Sequence, residues 1–162
     1  MISRNDYRRV EGRLYHYGDM KDQVLEFQGQ RQRTAPKVDA GMPRGNSRRS
    51  DPTALVALMM SQPPARIREY QQWIQVIDRA QEAMNETEPS LARLCQLYYR
   101  DLADVPVTER GKRLARYLGI SPSGLKLRLH RIVRAVYDLA VEAQLLAPGQ
   151  DELRVELLLA GI

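Results

Sequence analysis

Thiol and imidazole are scarce in this chain of 162 residues, which has one cysteine, Cys95, and two histidines, His16 and His130. A single cysteine cannot form an internal disulfide, and the three residues together are too few for a Cys/His zinc site. Two histidines, one of them inside a basic stretch, leave no Ser/His/Asp arrangement. A phosphate loop of the G-x4-GK[ST] kind is missing, and no carboxylate cluster suggests a two-metal centre. No catalytic residue, metal or cofactor is therefore expected. No apolar run reaches about 18 residues, so no membrane span is expected. The polar start MISRNDYRRVEGR lacks the apolar core of a secretion signal. With a mean hydropathy of −0.49 and one cysteine, the expected setting is reducing and cytoplasmic. Strand patterns, internal repeats and low-complexity tracts are absent too.

What the chain has is positive charge, unevenly placed. The formal net charge is +5, which alone favours polyanionic partners only weakly. Residues 1–50 hold the whole excess, with eleven basic residues against six acidic, while residues 51–162 balance at fourteen each. Within that neutral part lies one concentrated block. From Arg110 to Arg134 there are eight basic residues (Arg110, Lys112, Arg113, Arg116, Lys126, Arg128, Arg131, Arg134) and no acid.

Apolar spacing predicts an all-α protein. An N-terminal helical segment covers residues 1–34. In it Tyr7, Val10, Leu14, Tyr17, Lys21 and Val24 recur at intervals of three and four, with the lysine interrupting the stripe. The segment reads as one helix or as a helical hairpin, which Gly18-Asp19 could split with Asp19 as the second cap. Residues 35–50, with two prolines and two glycines, read as a linker or loop. A helical domain follows over 51–146. Ser50 or Asp51 caps a helix opened by Pro52 and ended by Pro63-Pro64. Residues 64–85 place Ile67, Tyr70, Ile74 and Ile77 on one face, with Trp73 and Val76 beside them. Residues 88–100 place Leu91, Leu94, Cys95 and Tyr98 together, which makes Cys95 a buried small hydrophobe rather than a reactive thiol. After the connection 101–107, Thr108 caps a helix to Leu118, and Gly119 suits a left-handed C-cap. Ser121 caps a last long helix from Pro122 to about Leu146. Residues 147–162 break that helix at APGQ and then read as a short C-terminal helix. Its leucines, Leu153 and Leu157 to Leu159, are candidates for core closure or for a partner patch.

The segment 108–134 carries the functional signal. A helix-turn-helix needs a small residue where its helices touch, a glycine at the turn, and apolar residues before the cap and inside the second helix. Ala115, Gly119, Ile120 and Leu125 supply these in order. At about 100° per residue, Leu125, Leu129, Ile132, Val136 and Leu139 form an inner stripe. Ser123, Leu127, His130, Arg131 and Arg134 lie opposite, flanked by Lys126 and Arg128. Such a helix pair is common, and basic outer faces are usually only solvated. The acid-free block favours DNA, because an acid in the face would oppose the electrostatic part of binding. Ser123, Lys126, Leu127 and His130 are then candidates for base edges, and Arg113, Arg116, Arg128, Arg131 and Arg134 for phosphates, with Ser121 at the helix start. Arg44, Arg48 and Arg49 read equally as a basic arm or as a solvated linker.

Residues 117–131, YLGISPSGLKLRLHR, resemble the region-4 helix-turn-helix of bacterial sigma factors and related regulators, whose pattern is LGIS-x-G-T-V-K-S-R-L-x-R. Ile120, Ser121, Lys126, Arg128, Leu129 and Arg131 match it, while Gly124 and Leu125 replace the usual threonine and valine. The tyrosine-rich opening LYHYGDMKDQV, the segment SDPTALVAL and the helix RIREYQQWIQVIDRAQEAM follow in an order similar to phage regulators of the ArpU/RinA type. That order spans most of the chain. A complete sigma factor would also need an aromatic promoter-melting module, which is not evident. The resemblance implies a phage or prophage activator of late genes, the packaging operon included. Double-stranded DNA is then the partner, with RNA polymerase and a second copy of the chain as further candidates. The rival reading is a DNA-packaging adaptor like a small terminase subunit, although such subunits usually carry the DNA-binding module first. An interaction-only helical bundle is the third.

Overall fold

Ser3 starts the first helix, as an N-cap serine should. Its hydroxyl oxygen accepts the Asp6 N–H at 3.1 Å and donates to the Asp6 carboxylate at 2.6 Å. A computed structural model describes residues 2–34 and 62–147. Within them lie α1 (Arg4–Tyr15), α2 (Tyr17–Thr34), α3 (Ala65–Thr87), α4 (Pro89–Gln96), α5 (Val107–Leu118) and α6 (Pro122–Glu142). Leu97–Asp101 extend α4 by one π-helical turn. No strand occurs among the described residues, and the class is all-α. The loop expected at 35–50, the helix opened by Pro52, the arginines Arg44, Arg48 and Arg49, and the C-terminal helix lie outside them.

The N-terminal segment divides at His16, not at Gly18-Asp19. His16 leaves helical geometry (φ −94°, ψ 14°) and donates its N–H to Gly12. The break shifts the phase of the buried stripe. Val10, Leu14, Tyr17, Met20 and Val24 are buried, so Met20 takes the place expected for Lys21. The lysine lies over the Tyr17 ring, 4.6 Å from its centroid, and 3.7 Å from the Asp78 carboxylate. Gly18 is an ordinary position inside α2, and Asp19 pairs with the His16 ring rather than starting the helix.

Residues 4–34 fold back on the rest of the chain. α2 packs on α3, and α1 packs on α6. Glu69 of α3 holds Arg13 of α1, and Arg9 approaches the same carboxylate at 3.8 Å. Tyr17 donates its hydroxyl to Asp78. α3 buries Tyr70, Trp73, Val76, Ile77, Ala80 and Met84. Trp73 and Val76 are thus central, while Ile67 and Ile74 sit at the edge. Opposite them α6 buries Leu125, Ile132, Val133, Val136, Tyr137 and Ala140, with Leu129 and Leu139 packed at the margin. α6 stops at Glu142, four residues before the expected end. Gln144 takes φ 58°, and the N–H groups of Leu145 and Leu146 return to the Ala140 carbonyl. The reversal tucks Leu146 into the core.

The π turn lies where two tyrosines meet the core. Tyr98 and Tyr99 are both buried. The wide turn, closed by the Leu102 N–H to the Leu97 carbonyl at 3.1 Å, brings both inward against Tyr15.

Arg110 locks this turn to α5. It is 3% exposed, the only buried charged residue among those described. Its guanidinium donates to the carbonyls of Tyr98 (3.0 Å), Ala103 (2.7 Å) and Val105 (2.9 and 3.2 Å). The rings of Tyr15 and Tyr98 lie 5.2 and 5.5 Å from its carbon. α5 itself starts at Val107 after an extended Pro106, whose carbonyl accepts from Glu109 and Arg110. Thr108 therefore lies inside the helix and is not its cap.

Two outcomes follow from this core. Arg110→Met is expected to lower stability by about 3 kcal/mol, because three interior carbonyls lose charged donors. Urea unfolding followed by circular dichroism measures it. A loss below about 1 kcal/mol, the scale of an exposed contact, would remove Arg110 from the centre of the fold. The second outcome concerns alkali. Burial pushes the Cys95 thiol up to about 11 and the Tyr15 and Tyr99 hydroxyls well above their usual value. The folded state holds these protons more tightly than the unfolded chain, where the values are 9.0 and 10.0. Stability from these groups is complete below pH 9 and falls as pH rises past 9 and 10. The urea midpoint should therefore drop across that window, and a midpoint constant to pH 11 contradicts the burial of these groups.

Candidate nucleic-acid interface

α5 and α6 meet through a turn that local chemistry dictates. Gly119 adopts φ 63°, ψ 29°, the left-handed conformation that side chains with a Cβ avoid. The Ile120 N–H bonds the Ala115 carbonyl at 3.1 Å and the Gly119 N–H bonds that of Arg116 at 3.3 Å. These two bonds make a Schellman turn and satisfy carbonyls that the helix end would leave open. Ser121 is extended, and its oxygen accepts the Gly124 N–H at 3.0 Å. Pro122 follows at the first helical position, where no N–H is needed. The helices approach closely at Gly111, where an added Cβ would lie 4.0 Å from Leu125. Ala115, one turn on, is buried as well. Gly111 thus shares the small-residue contact assigned from sequence to Ala115 alone.

The outer face of α6 is exposed at Ser123, Lys126, Leu127, His130 and Arg131, with Arg128 half-buried at one flank. Leu127 is 64% exposed. Neighbouring elements interrupt this face in its C-terminal part. His130 stacks on Tyr7 of α1, with ring centroids 5.4 Å apart and planes 13° from parallel. Arg131 makes a two-pronged hydrogen bond to Glu88, between α3 and α4. Arg134 pairs with Asp138 at 2.9 Å. His130, Arg131, Arg134, Ala135 and Asp138 share an open recess of about 350 Å³ with Met84, Thr87, Glu88 and Leu91. The part of the face without such neighbours is the N-terminal one, Ser123 to Leu127.

Folding sorts the eight basic residues of the block. Arg110 is interior and does not belong to the surface at all. Arg113, Arg131 and Arg134 each hold a carboxylate, from Glu109, Glu88 and Asp138. Lys112, Arg116, Lys126 and Arg128 make no hydrogen bond or ion pair among the described residues. Lys112 and Arg116 are exposed one turn apart on α5, and Lys126 and Arg128 sit in the first turns of α6. Lys112 was not among the assigned contact residues, although its i,i+4 spacing from Arg116 places the two on one face. Nothing in the sequence pointed to Glu88, which is 43 positions from Arg131.

Among the described residues there is no group of three or more His, Cys, Asp or Glu side chains able to hold a metal. No helix among them is long and apolar enough to cross a membrane. The arrangement offers charge and shape: a rigid two-helix corner with unpaired cations on both helices and one exposed leucine between them. Compared with protein-family models, with curated protein sequences and with solved structures, the chain matches none.

The turn gives a direct test of this geometry. No atom lies within 4 Å of a Cβ placed at Gly119, so Gly119→Ala meets only the backbone cost of the left-handed conformation, about 1–2 kcal/mol. Thermal unfolding should report that loss. An unchanged midpoint would mean that the turn does not take this conformation.

Proposed function

We propose that this chain is a sequence-specific DNA-binding transcription regulator, and within that class an activator of phage or prophage late genes. The observation that carries the DNA reading is the α5–α6 corner. Its second helix presents its N-terminal turns outward with unpaired Lys126 and Arg128, and its first helix presents unpaired Lys112 and Arg116. In a helix-turn-helix the N-terminal residues of the second helix meet base edges and the first helix crosses the backbone. Ser123, Lys126 and Leu127 then face bases, with Leu127 suited to a thymine methyl group. Lys112 and Arg116 neutralise phosphates. Arg131 and Arg134 reach phosphates only by exchanging Glu88 and Asp138 for them. Arg134–Asp138 is a surface ion pair worth about 0–1 kcal/mol, while the two-pronged Arg131–Glu88 pair, with Glu88 half-buried, holds more firmly, so the exchange is easier at Arg134. His130, held by Tyr7, contributes from a fixed position. The late-gene and activator parts rest on the likeness of residues 117–131 to sigma region 4 and on the order of segments before it. Recruitment of RNA polymerase fits the same likeness.

Selection of fragments from the phage or host genome supplies the test. One preferred site upstream of late or packaging genes supports the reading. On that site Lys126→Ala should weaken binding by about 1–3 kcal/mol while leaving unrelated duplexes almost unaffected. An equal loss on every sequence makes Lys126 a phosphate contact. If the wild-type protein binds no duplex in a salt-dependent way, the reading is wrong.

A further inference from the structure

The four arginines of α1 fall into two kinds. Arg9 and Arg13 both turn to Glu69 of α3. Arg4 and Arg8 are exposed and make no hydrogen bond or ion pair among the described residues. The division follows from helical position. At about 100° per residue, Arg4 and Arg8 lie about 40° apart, next to Tyr7 and Glu11. Arg9 and Arg13 lie about 140–180° round from Arg4, beyond the reach of that edge. Neither of the acids near Arg4 and Arg8 pairs with them among the described residues. Asp6 accepts from the Ser3 hydroxyl and belongs to the cap. Glu11 is drawn half into the core and makes no ion pair among the described residues.

The unpaired edge stands beside the helix proposed to read DNA. Tyr7, about 60° round the helix from Arg4 and about 100° from Arg8, is the residue that stacks on His130. His130 lies one turn beyond Lys126 on α6, so the stack brings the first two turns of α1 to the flank of the exposed face. The Ser3 cap holds those turns helical and fixes where the arginines project. α5 touches α6 at Leu125, and α1 touches it at His130. These positions are about 140° apart around α6. Unpaired cations therefore stand on two helices that border α6 at different places, Lys112 and Arg116 on α5 and Arg4 and Arg8 on α1.

We infer that α1 is a second DNA-contacting element, in which Arg4 and Arg8 bind backbone phosphates of the duplex beside the recognition helix, next to the Tyr7–His130 contact. The inference rests on the DNA-binding reading and extends it to a helix outside the helix-turn-helix. A duplex seated on the N-terminal half of α6 carries its phosphates past the helices that border that half. Guanidinium groups on a capped helix meet phosphates without prior loss of an internal partner. Arg4 and Arg8 so contribute affinity and orientation and carry no sequence preference of their own.

The experiment is a titration of a labelled duplex by fluorescence anisotropy over a series of salt concentrations. It uses the full chain, Arg4→Gln/Arg8→Gln and Arg9→Gln. Each phosphate neutralised contributes about 0.9 to the slope of log affinity against log salt. The double variant should lose about 1.8 of the wild-type slope and weaken equally on preferred and unrelated duplexes. Arg9→Gln, on the paired edge, should keep the wild-type slope. A double variant that keeps both slope and affinity, on a duplex the wild type binds, overturns the role of α1 and leaves the DNA reading standing. A loss of slope as large for Arg9→Gln overturns it too, since net charge alone would then account for the effect. Absence of salt-dependent binding by the wild type overturns both. Melting curves of the variants, expected to match the wild type, exclude unfolding as the cause.

Discussion

The buried guanidinium of Arg110 is the contact on which the arrangement of helices depends. A cation removed from water needs compensation of several kcal/mol, and here no carboxylate supplies it. The compensation is a set of three carbonyls, those of Tyr98, Ala103 and Val105, at the end of the π turn and in the connection after it. The arrangement is reciprocal. A helix C-terminus leaves carbonyls open and carries a partial negative charge, and the planar fork of arginine has enough fixed donors to meet several at once. Lysine could not span the same set. Because Arg110 lies in the first turn of α5, the same bonds fix where α5 begins and which way it runs. Gly111, next in sequence, then sets the approach to Leu125, and the turn at Gly119 sets the departure of α6.

The local pieces of this design were legible in the sequence because local chemistry causes them. Gly119, Ser121 and Pro122 act within four residues of themselves, and each occupies the role its type suggests. The helical periods likewise located α3, α4 and α6. What escaped the reading depends on residues far apart in the chain. Arg110 looked like one member of a basic block, since its true partners become available only when the chain after Tyr98 widens into a π turn. The break falls at His16 and not at Gly18, where glycine, the usual breaker, would allow one. The structure breaks where the phase change puts Met20, not Lys21, into the core. Ile67 and Ile74 looked central on α3, and which side of a broadly apolar helix faces inward is decided by neighbours that a period cannot name.

Charge shows the same limit more sharply. The block from Arg110 to Arg134 contains no acid along the chain, yet folding brings Glu88 to Arg131, and Glu109 and Asp138 pair from just outside its ends. One arginine leaves the surface altogether. The block therefore presents less unpaired charge than its sequence suggests, in four side chains at the corner. The three paired arginines are not lost to an anion. Glu109 and Asp138 are exposed and Glu88 is half-buried, so salt reaches their ion pairs to different degrees, and a duplex with closely spaced phosphates is a stronger competitor than one acid. Binding through those residues then starts from an exchange of partners, while Lys112, Arg116, Lys126 and Arg128 start from water.

α1 connects these two themes. Tyr15, at its end, lies against Arg110 and against Tyr98 and Tyr99. Tyr7, eight residues earlier, stacks on His130. Eight residues of helix rise about 12 Å, so one rigid rod touches the anchor of α5 at one end and the outer flank of α6 at the other. A helix that contacts both members of a helix pair constrains the angle between them as well as their separation. The corner is thus a unit of three helices, and the segment that resembled a sigma-type module along the sequence is its visible part. A change in α1 that disturbs either tyrosine contact acts on the orientation of α6 without touching a residue of the turn. For a helix proposed to enter a groove, orientation decides which side chains reach the bases.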